Sequence, residues 1–262
     1  VMSSKWALVL GASSGFGAAT SIELAKAGYG VFGVHFDLRS TLPNAVRVQD
    51  EVKAAGQEAM FFNINAADAD KRAAALDAIR EKVGGDGYVR VLMHSLAFGT
   101  LLPFIDDDPK GRISQKQMDM TLDVMAHSLV YWSQDMAKMR LLGQNSRIFA
   151  MTSSGSTRVI KSYGAVSAAK AALESHIRQL AFEMAPLGVT ANAIRAGVTD
   201  TPALRRIPGG PELHQRAMER NPSGRSTTPE DVAKAIALFA DERTYWMTGN
   251  VIGVDGGEEL SA

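Results

Sequence analysis

The 262-residue sequence contains no cysteine, which excludes disulfides and thiolate metal sites and fits a reducing compartment. Net charge is missing too: 28 Lys and Arg balance 28 Asp and Glu, so the basic footprint of a nucleic-acid binder is absent. No apolar run approaches the roughly 20 residues of a membrane span. The opening VMSSKWALVL is too short for a signal peptide and leads straight into a strand pattern. The five histidines, His35, His94, His127, His176 and His214, are scattered, with no pair at metal-ligand spacing. What remains is a soluble, cytoplasmic chain with no metal, membrane or nucleic-acid partner.

What is present is a 46% hydrophobic content, ample for one sizeable core, and 24 glycines, which suggest tight turns or a backbone-lined site. Apolar runs at 6–10, 31–36, 57–64, 89–94, 146–152, 189–194 and 251–254 read as strands. Amphipathic segments alternate with them, including a long one at 114–142 and a helix at 229–240 opened by Thr228 and Pro229. Strands that are continuously apolar belong in a sheet covered on both faces. The repeated order predicts an α/β fold, a doubly wound parallel seven-stranded sheet with helices on both faces. No linker divides the chain, so residues 1–262 read as one domain. Two stretches break the repeat, a polar loop at 101–113 and a Pro/Gly-rich stretch at 196–225. In such a sheet they hang beyond the carboxyl ends of strands, where ligands bind, and the second is a candidate substrate lid.

After the first strand comes Gly11-Ala12-Ser13-Ser14-Gly15-Phe16-Gly17, opening a helix. Glycines there let the backbone approach a pyrophosphate, and free N–H groups at the helix start favour anions. A tight strand–helix turn with no ligand is the alternative. Asp37 follows the second strand, where a carboxylate can accept bonds from ribose hydroxyls and repel a 2′-phosphate. With no Lys or Arg in the turn itself, this favours NADH over NADPH, although Arg39 follows closely and a solvated loop acid is the other reading of Asp37. Asn63 and Ile64 end the third strand, where they can flank an adenine.

Tyr163 and Lys170 lie seven residues apart on a predicted helix, about two turns, so both project from one face. Ser153 lies at the end of the strand before them. Together with the glycine turn, Ala196-Gly197 and Asp255-Gly256-Gly257, these residues resemble the short-chain dehydrogenase/reductase superfamily from about Lys5 to the C-terminus. The resemblance implies a Rossmann-type domain, a nicotinamide cofactor and a homotetramer. It also implies that Gly11, Ser13, Ser14, Phe16, Gly17, Asp37, Asn63, Ile64, Ser95, Leu96, Ala97, Lys170, Ala196, Gly197, Val198 and Thr201 hold that cofactor.

Most of the superfamily has the tyrosine four residues before the lysine, where this chain has Val166. The Tyr-x6-Lys pattern and His94-Ser95-Leu96-Ala97 are instead similar to enoyl-acyl-carrier-protein reductases. Ser153, seventeen residues before Lys170, matches the carbonyl-reductase serine, where many enoyl reductases carry a second tyrosine. The asparagine many carbonyl reductases carry on the preceding helix is absent near Met125.

The implied activity is NADH-dependent reduction of the trans-2 double bond of an enoyl thioester, on acyl carrier protein or coenzyme A, in bacterial-type fatty-acid synthesis. Tyr163, Lys170 and Ser153 are then the catalytic residues. Hydride goes to the β-carbon while charge develops on an oxygen three bonds away, so shifting the phenol by one helical turn changes which oxygen it reaches. The alternatives are a carbonyl reductase or alcohol dehydrogenase of β-ketoacyl or hydroxysteroid type, and a dinucleotide-binding regulator without chemistry. Phe98, Leu101, Leu102, Leu204 and Ile207 are candidates for an acyl channel or for loop packing. Arg205, Arg206, Arg216 and Arg220 can meet an acidic carrier or form a solvated face. His94 reads as structural, and the methionines of the long helix as core or interface filler.

Overall fold

Alternate residues along each inner strand feed two separate cores. Leu8, Leu10, Phe32, Val34, Leu92 and Ile148 pack into one, and Ala7, Val9, Val31, Val91, Met93 and Phe149 into the other. That is the period of two, with an apolar side chain on both faces. The computed structural model describes residues 5–261.

The strands are β1 (Lys5–Leu10), β2 (Tyr29–His35), β3 (Ala59–Asn63), β4 (Val89–His94), β5 (Arg147–Thr152), β6 (Thr190–Ala196) and β7 (Val251–Val254). They form one sheet in the order β3-β2-β1-β4-β5-β6-β7, and every pairing is parallel. The helices are α1 (Gly15–Lys26), α2 (Leu42–Ala54), α3 (Ala69–Val83), α4 (Gln115–Leu122), α5 (Ser128–Lys138), α6 (Gly164–Glu183), α7 (Gly210–Arg220) and α8 (Pro229–Phe239). Helices α3, α5 and α6 cover the first core, and α1, α2 and α8 the second. This is the doubly wound α/β sheet expected from the pattern. The strand order reverses between β1 and β4, which opens a crevice at their carboxyl ends.

Local chemistry accounts for the helix starts. Thr228 and Asp231 form a capping box with Pro229 in the first turn of α8, and Ser114 and Gln117 form another on α4. Trp132 of α5 is fully buried, and its indole N–H is satisfied by the Ala66 carbonyl at 2.9 Å. Its truncation to alanine would cost about 3–5 kcal/mol.

Three local expectations are corrected. The helix expected at 114–142 is helical without a gap from Gln115 to Lys138, but it widens into a π-helical turn at Asp123–His127 between α4 and α5 and ends at Lys138. The 196–225 stretch is not all loop, because α7 lies within it. Tyr163 is not inside a helix: α6 starts at Gly164 and Tyr163 is its N-cap residue.

Candidate active site

A cavity of about 790 Å³ opens at the carboxyl ends of the strands. That is toward the upper end of small-molecule sites, roughly 300–1,000 Å³. The glycine turn forms its floor, with Gly11, Ser13, Ser14, Gly15 and Phe16 in the lining. Gly11 has φ +90°, and a Cβ there would lie 2.3 Å from the Ser95 carbonyl oxygen. Only glycine fits on both counts. Gly17 does not line the cavity; its missing Cβ leaves room for the Gly11 carbonyl, which would lie 2.1 Å away. Its contribution is close packing of α1 against the turn.

Asp37 lines the cavity beyond β2. Burial raises its carboxyl pKa, but hydrogen bonds from Thr41, Ser13 and His35 outweigh that and hold it below the usual range. The His35 Nδ1 contact is 2.9 Å. Asp37 is therefore an ionised acceptor at neutral pH. Asn63 is a correction: it does not line the cavity. Its amide clamps the Asp37 backbone, Oδ1 accepting from Asp37 N at 2.9 Å and Nδ2 donating to Asp37 O at 3.0 Å. The wall is built instead by Ile64 with Asn65 and Ala66, two residues the sequence pattern did not single out.

Ser95, Leu96, Ala97 and Phe98 continue the wall after β4. His94 just before them is fully buried and outside the lining. Burial, reinforced by the charge of Lys170, pulls it down to about 3, so the ring is neutral. The Ser128 hydroxyl donates to the Val124 carbonyl at 2.7 Å, so the 2.9 Å contact is donated by His94 Nε2. Val124 and Met125 of the π-helical turn also reach the cavity. Nothing in the helical periodicity marks them, although such turns recur at functional sites.

Ser153, Tyr163 and Lys170 all line the same cavity. Lys170 is buried on α6 and donates to the Met151 carbonyl at 2.7 Å. Burial pulls its ammonium down to about 8, opposed by the Glu174 carboxylate one turn on. Glu174 in turn accepts from Thr152 Oγ1 at 2.6 Å. Burial raises the Tyr163 phenol above its ordinary value, and a hydrogen bond with Ser153 opposes that. The phenol is a neutral donor at pH 7. Its ring lies over Gly155, where a Cβ would come within 2.8 Å of Tyr163 Cε1. Ser162 just before it has φ +58°, a left-handed conformation uncommon outside glycine. The tyrosine therefore reaches the cavity through a turn, not through a shared helical face. Val166 is buried and outside the lining.

Ala196 at the end of β6 and Gly197, Val198, Thr199 and Thr201 after it line the wall, joined by Leu204, Ile207, Leu213 and Ala217 from the 196–225 stretch. Of the acyl-channel candidates, Phe98, Leu204 and Ile207 line the cavity. Leu101 packs against the core instead, and Leu102 is outside the lining. Arg206, Arg216 and Arg220 face the cavity, whereas Arg205 is outside its lining and held by Asp200 through two 2.8 Å bonds. His127 and His176, 49 residues apart in sequence, meet at 3.0 Å. Among the described residues no group of three or more side chains can hold a metal ion.

A family model described as enoyl-(acyl carrier protein) reductase matches residues 11–259. The chain belongs to the short-chain dehydrogenase/reductase superfamily, in its enoyl-reductase-like branch. Among its short-chain dehydrogenase/reductase relatives, a 1-cyclohexenylcarbonyl-CoA reductase of Streptomyces collinus is 27% identical over 97% of this chain and 87% of its own. The NADH-dependent enoyl-acyl-carrier-protein reductase of Aquifex aeolicus is 30% identical over 66% of this chain and 63% of its own. A cyclohexanol dehydrogenase of Rhodococcus sp. strain TK6 is 29% identical over 97% and 95%. A solved short-chain dehydrogenase from Burkholderia cenocepacia in complex with NADP superimposes with a TM-score of 0.82 at 27% identity, covering 98% of this chain and 99% of that one. This short-chain dehydrogenase/reductase is therefore an oxidoreductase of a family that binds a nicotinamide dinucleotide. The donor set fits such a cofactor: a glycine turn at the start of α1, an ionised carboxylate at one end and a buried ammonium at the other. No helix among the described residues is long and apolar enough to cross a membrane.

Proposed function

We propose that this chain is an NADH-dependent enoyl thioester reductase. The observation that carries the reading is the burial of Val166, which leaves Tyr163 as the phenol in the cavity with Lys170. The ionised Asp37 favours NADH, and Arg39 is exposed and outside the lining of the cavity.

The proposed cofactor residues are Gly11, Ser13, Ser14 and Phe16 at the pyrophosphate, Asp37 and Ile64 at the adenosine end, and Ser95, Leu96 and Ala97 along the middle. Lys170, Ala196, Gly197, Val198 and Thr201 complete the nicotinamide end, with Gly17 and Asn63 acting from behind. When bound, the reduced nicotinamide supplies a hydride to the β-carbon. Tyr163, kept protonated by burial, donates a hydrogen bond to the thioester oxygen as enolate charge develops, and a proton drawn from solvent to the α-carbon completes the reduction. Lys170 adds a positive field beside the phenol and holds the ribose. Ser153 orients the phenol. A preorganised donor in a water-poor cavity contributes roughly 10²–10³-fold in rate. Lid residues Leu204, Ile207 and Leu213 exclude water from the acyl chain.

The substrate in this reading is a trans-2-enoyl thioester on acyl carrier protein or coenzyme A, used in cytoplasmic fatty-acid synthesis by a homotetramer. One observation favours a second reading. Ser153, at the carbonyl-reductase position, lines the cavity with Tyr163 and opposes the rise of its phenol, which suits reduction of a ketone by the same pair. Assays with NADH and either crotonyl-coenzyme A or acetoacetyl-coenzyme A separate the two. Turnover of the crotonyl thioester is expected, and turnover of the acetoacetyl thioester alone would sink the enoyl reading.

A further inference from the structure

The C-terminal turn after β7 is tied to two walls of the cavity. Asp255 organises the turn, its carboxylate accepting from Gly257 N at 3.0 Å and Glu259 N at 3.2 Å. Asn221 Nδ2, just past α7, donates to the Asp255 carbonyl at 2.8 Å, and Arg220 Nη2 donates to the Ser261 carbonyl at 2.9 Å. On the other side Arg158, from the loop after β5, pairs with the Glu259 carboxylate at 3.2 Å. A frame fixed at both ends therefore presents Glu258 to the cavity, which it lines together with Gly197 and Val198.

Glu258 Oε2 accepts from Val198 N at 2.9 Å. The same oxygen would lie 2.8 Å from a Cβ on Gly197, and Thr227 Oγ1 2.4 Å from it, so the turn after β6 is seated in a tight socket. Among the described residues no hydrogen bond reaches Oε1. We propose that Glu258 is a positioning residue: its carboxylate holds the Gly197–Val198 turn against the cavity, and through that turn it sets cofactor affinity. The proposal rests on the cofactor reading of this wall and not on the enoyl substrate.

Charge makes the hold pH-dependent. Burial raises the Glu258 carboxyl, the Val198 N–H lowers it, Asp255 and Glu259 raise it and Arg220 lowers it; the balance is upward. Protonation therefore sets in at a higher pH than for an ordinary glutamate. A neutral acid is a weaker acceptor than a carboxylate. Cofactor affinity is expected to fall as pH drops through that range.

Three proteins test the proposal, the wild type, Glu258→Gln and Glu258→Ala, without acyl substrate. NADH affinity is read by fluorescence between about pH 5 and 8, above the ordinary glutamate value of about 4.3, and exchange of the Val198 amide by NMR in cofactor-free protein. Glu258→Ala, lacking the acceptor, should weaken NADH and speed Val198 exchange, each roughly tenfold. Glu258→Gln keeps an acceptor oxygen of the same reach, so it should bind NADH near the wild-type value at pH 8 and lose the decline toward pH 5. Wild-type affinity and exchange in Glu258→Ala would overturn the proposal. An undiminished acid decline in Glu258→Gln would overturn the pH dependence.

Discussion

Val166 packs so tightly against Gly99 that a Cβ on the glycine would lie 2.8 Å from Val166 Cγ2 and 2.9 Å from Thr121 Cγ2. The position four residues before Lys170 is thus a packed core site with no opening into the cavity. Val166→Tyr is expected to destabilise the fold by roughly 1–3 kcal/mol through overpacking. It is not expected to confer acetoacetyl-thioester reduction. Chemical denaturation and a steady-state assay check both parts, and a stable variant with new ketone reduction would contradict this view of the site.

Tyr163→Phe removes the donor and keeps the ring over Gly155. A loss of roughly 10²–10³-fold in kcat is expected, with NADH affinity within about twofold of wild type. Titration of NADH fluorescence alongside turnover separates the two quantities.

The Lys170 ammonium, held near 8 by burial, is charged below that pH and neutral above it. In the proposed mechanism its positive charge is therefore available at pH 7 and disappears as pH rises. The profile of kcat/KM should fall on an alkaline limb centred near 8, well below the ordinary lysine value of about 10.4. Lys170→Ala should remove that limb along with most turnover and weaken NADH binding. A flat profile to pH 9.5 (about one unit below an ordinary lysine) would contradict the assigned role.

Asp37→Ala removes the ionised acceptor at the adenosine end. Loss of a charge-assisted bond should weaken NADH roughly tenfold, while NADPH, relieved of repulsion, should lose less. The measurement is the ratio of the two dissociation constants, which should move toward NADPH.

The sheet was legible because its inner strands, β1, β2, β4 and β5, are buried on both faces. The expected runs at 89–94 and 251–254 coincide with β4 and β7. Helix α7 was hidden because Pro208-Gly209-Gly210-Pro211 reads as loop, yet Gly209 in a left-handed conformation and Pro211 in the first turn start a helix. The π-helical turn that brings Val124 and Met125 to the cavity leaves no mark in the apolar period. For Tyr163 and Lys170, the sequence spacing singled out two residues that line one cavity but not the route, since Tyr163 arrives from an N-cap through the turn at Ser162. Glu258 had the weakest signal: it follows Asp255-Gly256-Gly257, but its reach to Val198 depends on the chain returning across β6.

The destination of the hydride tests the enoyl thioester reading most directly. Wild-type enzyme would be run with crotonyl-coenzyme A and NADH deuterated at the transferred position, and the product read by NMR and mass spectrometry. The expected product is butyryl-coenzyme A with one deuterium at C3 and none from the cofactor at C2. Failure to saturate the crotonyl thioester, with acetoacetyl-coenzyme A reduced to a 3-hydroxy product carrying the label, would contradict the account.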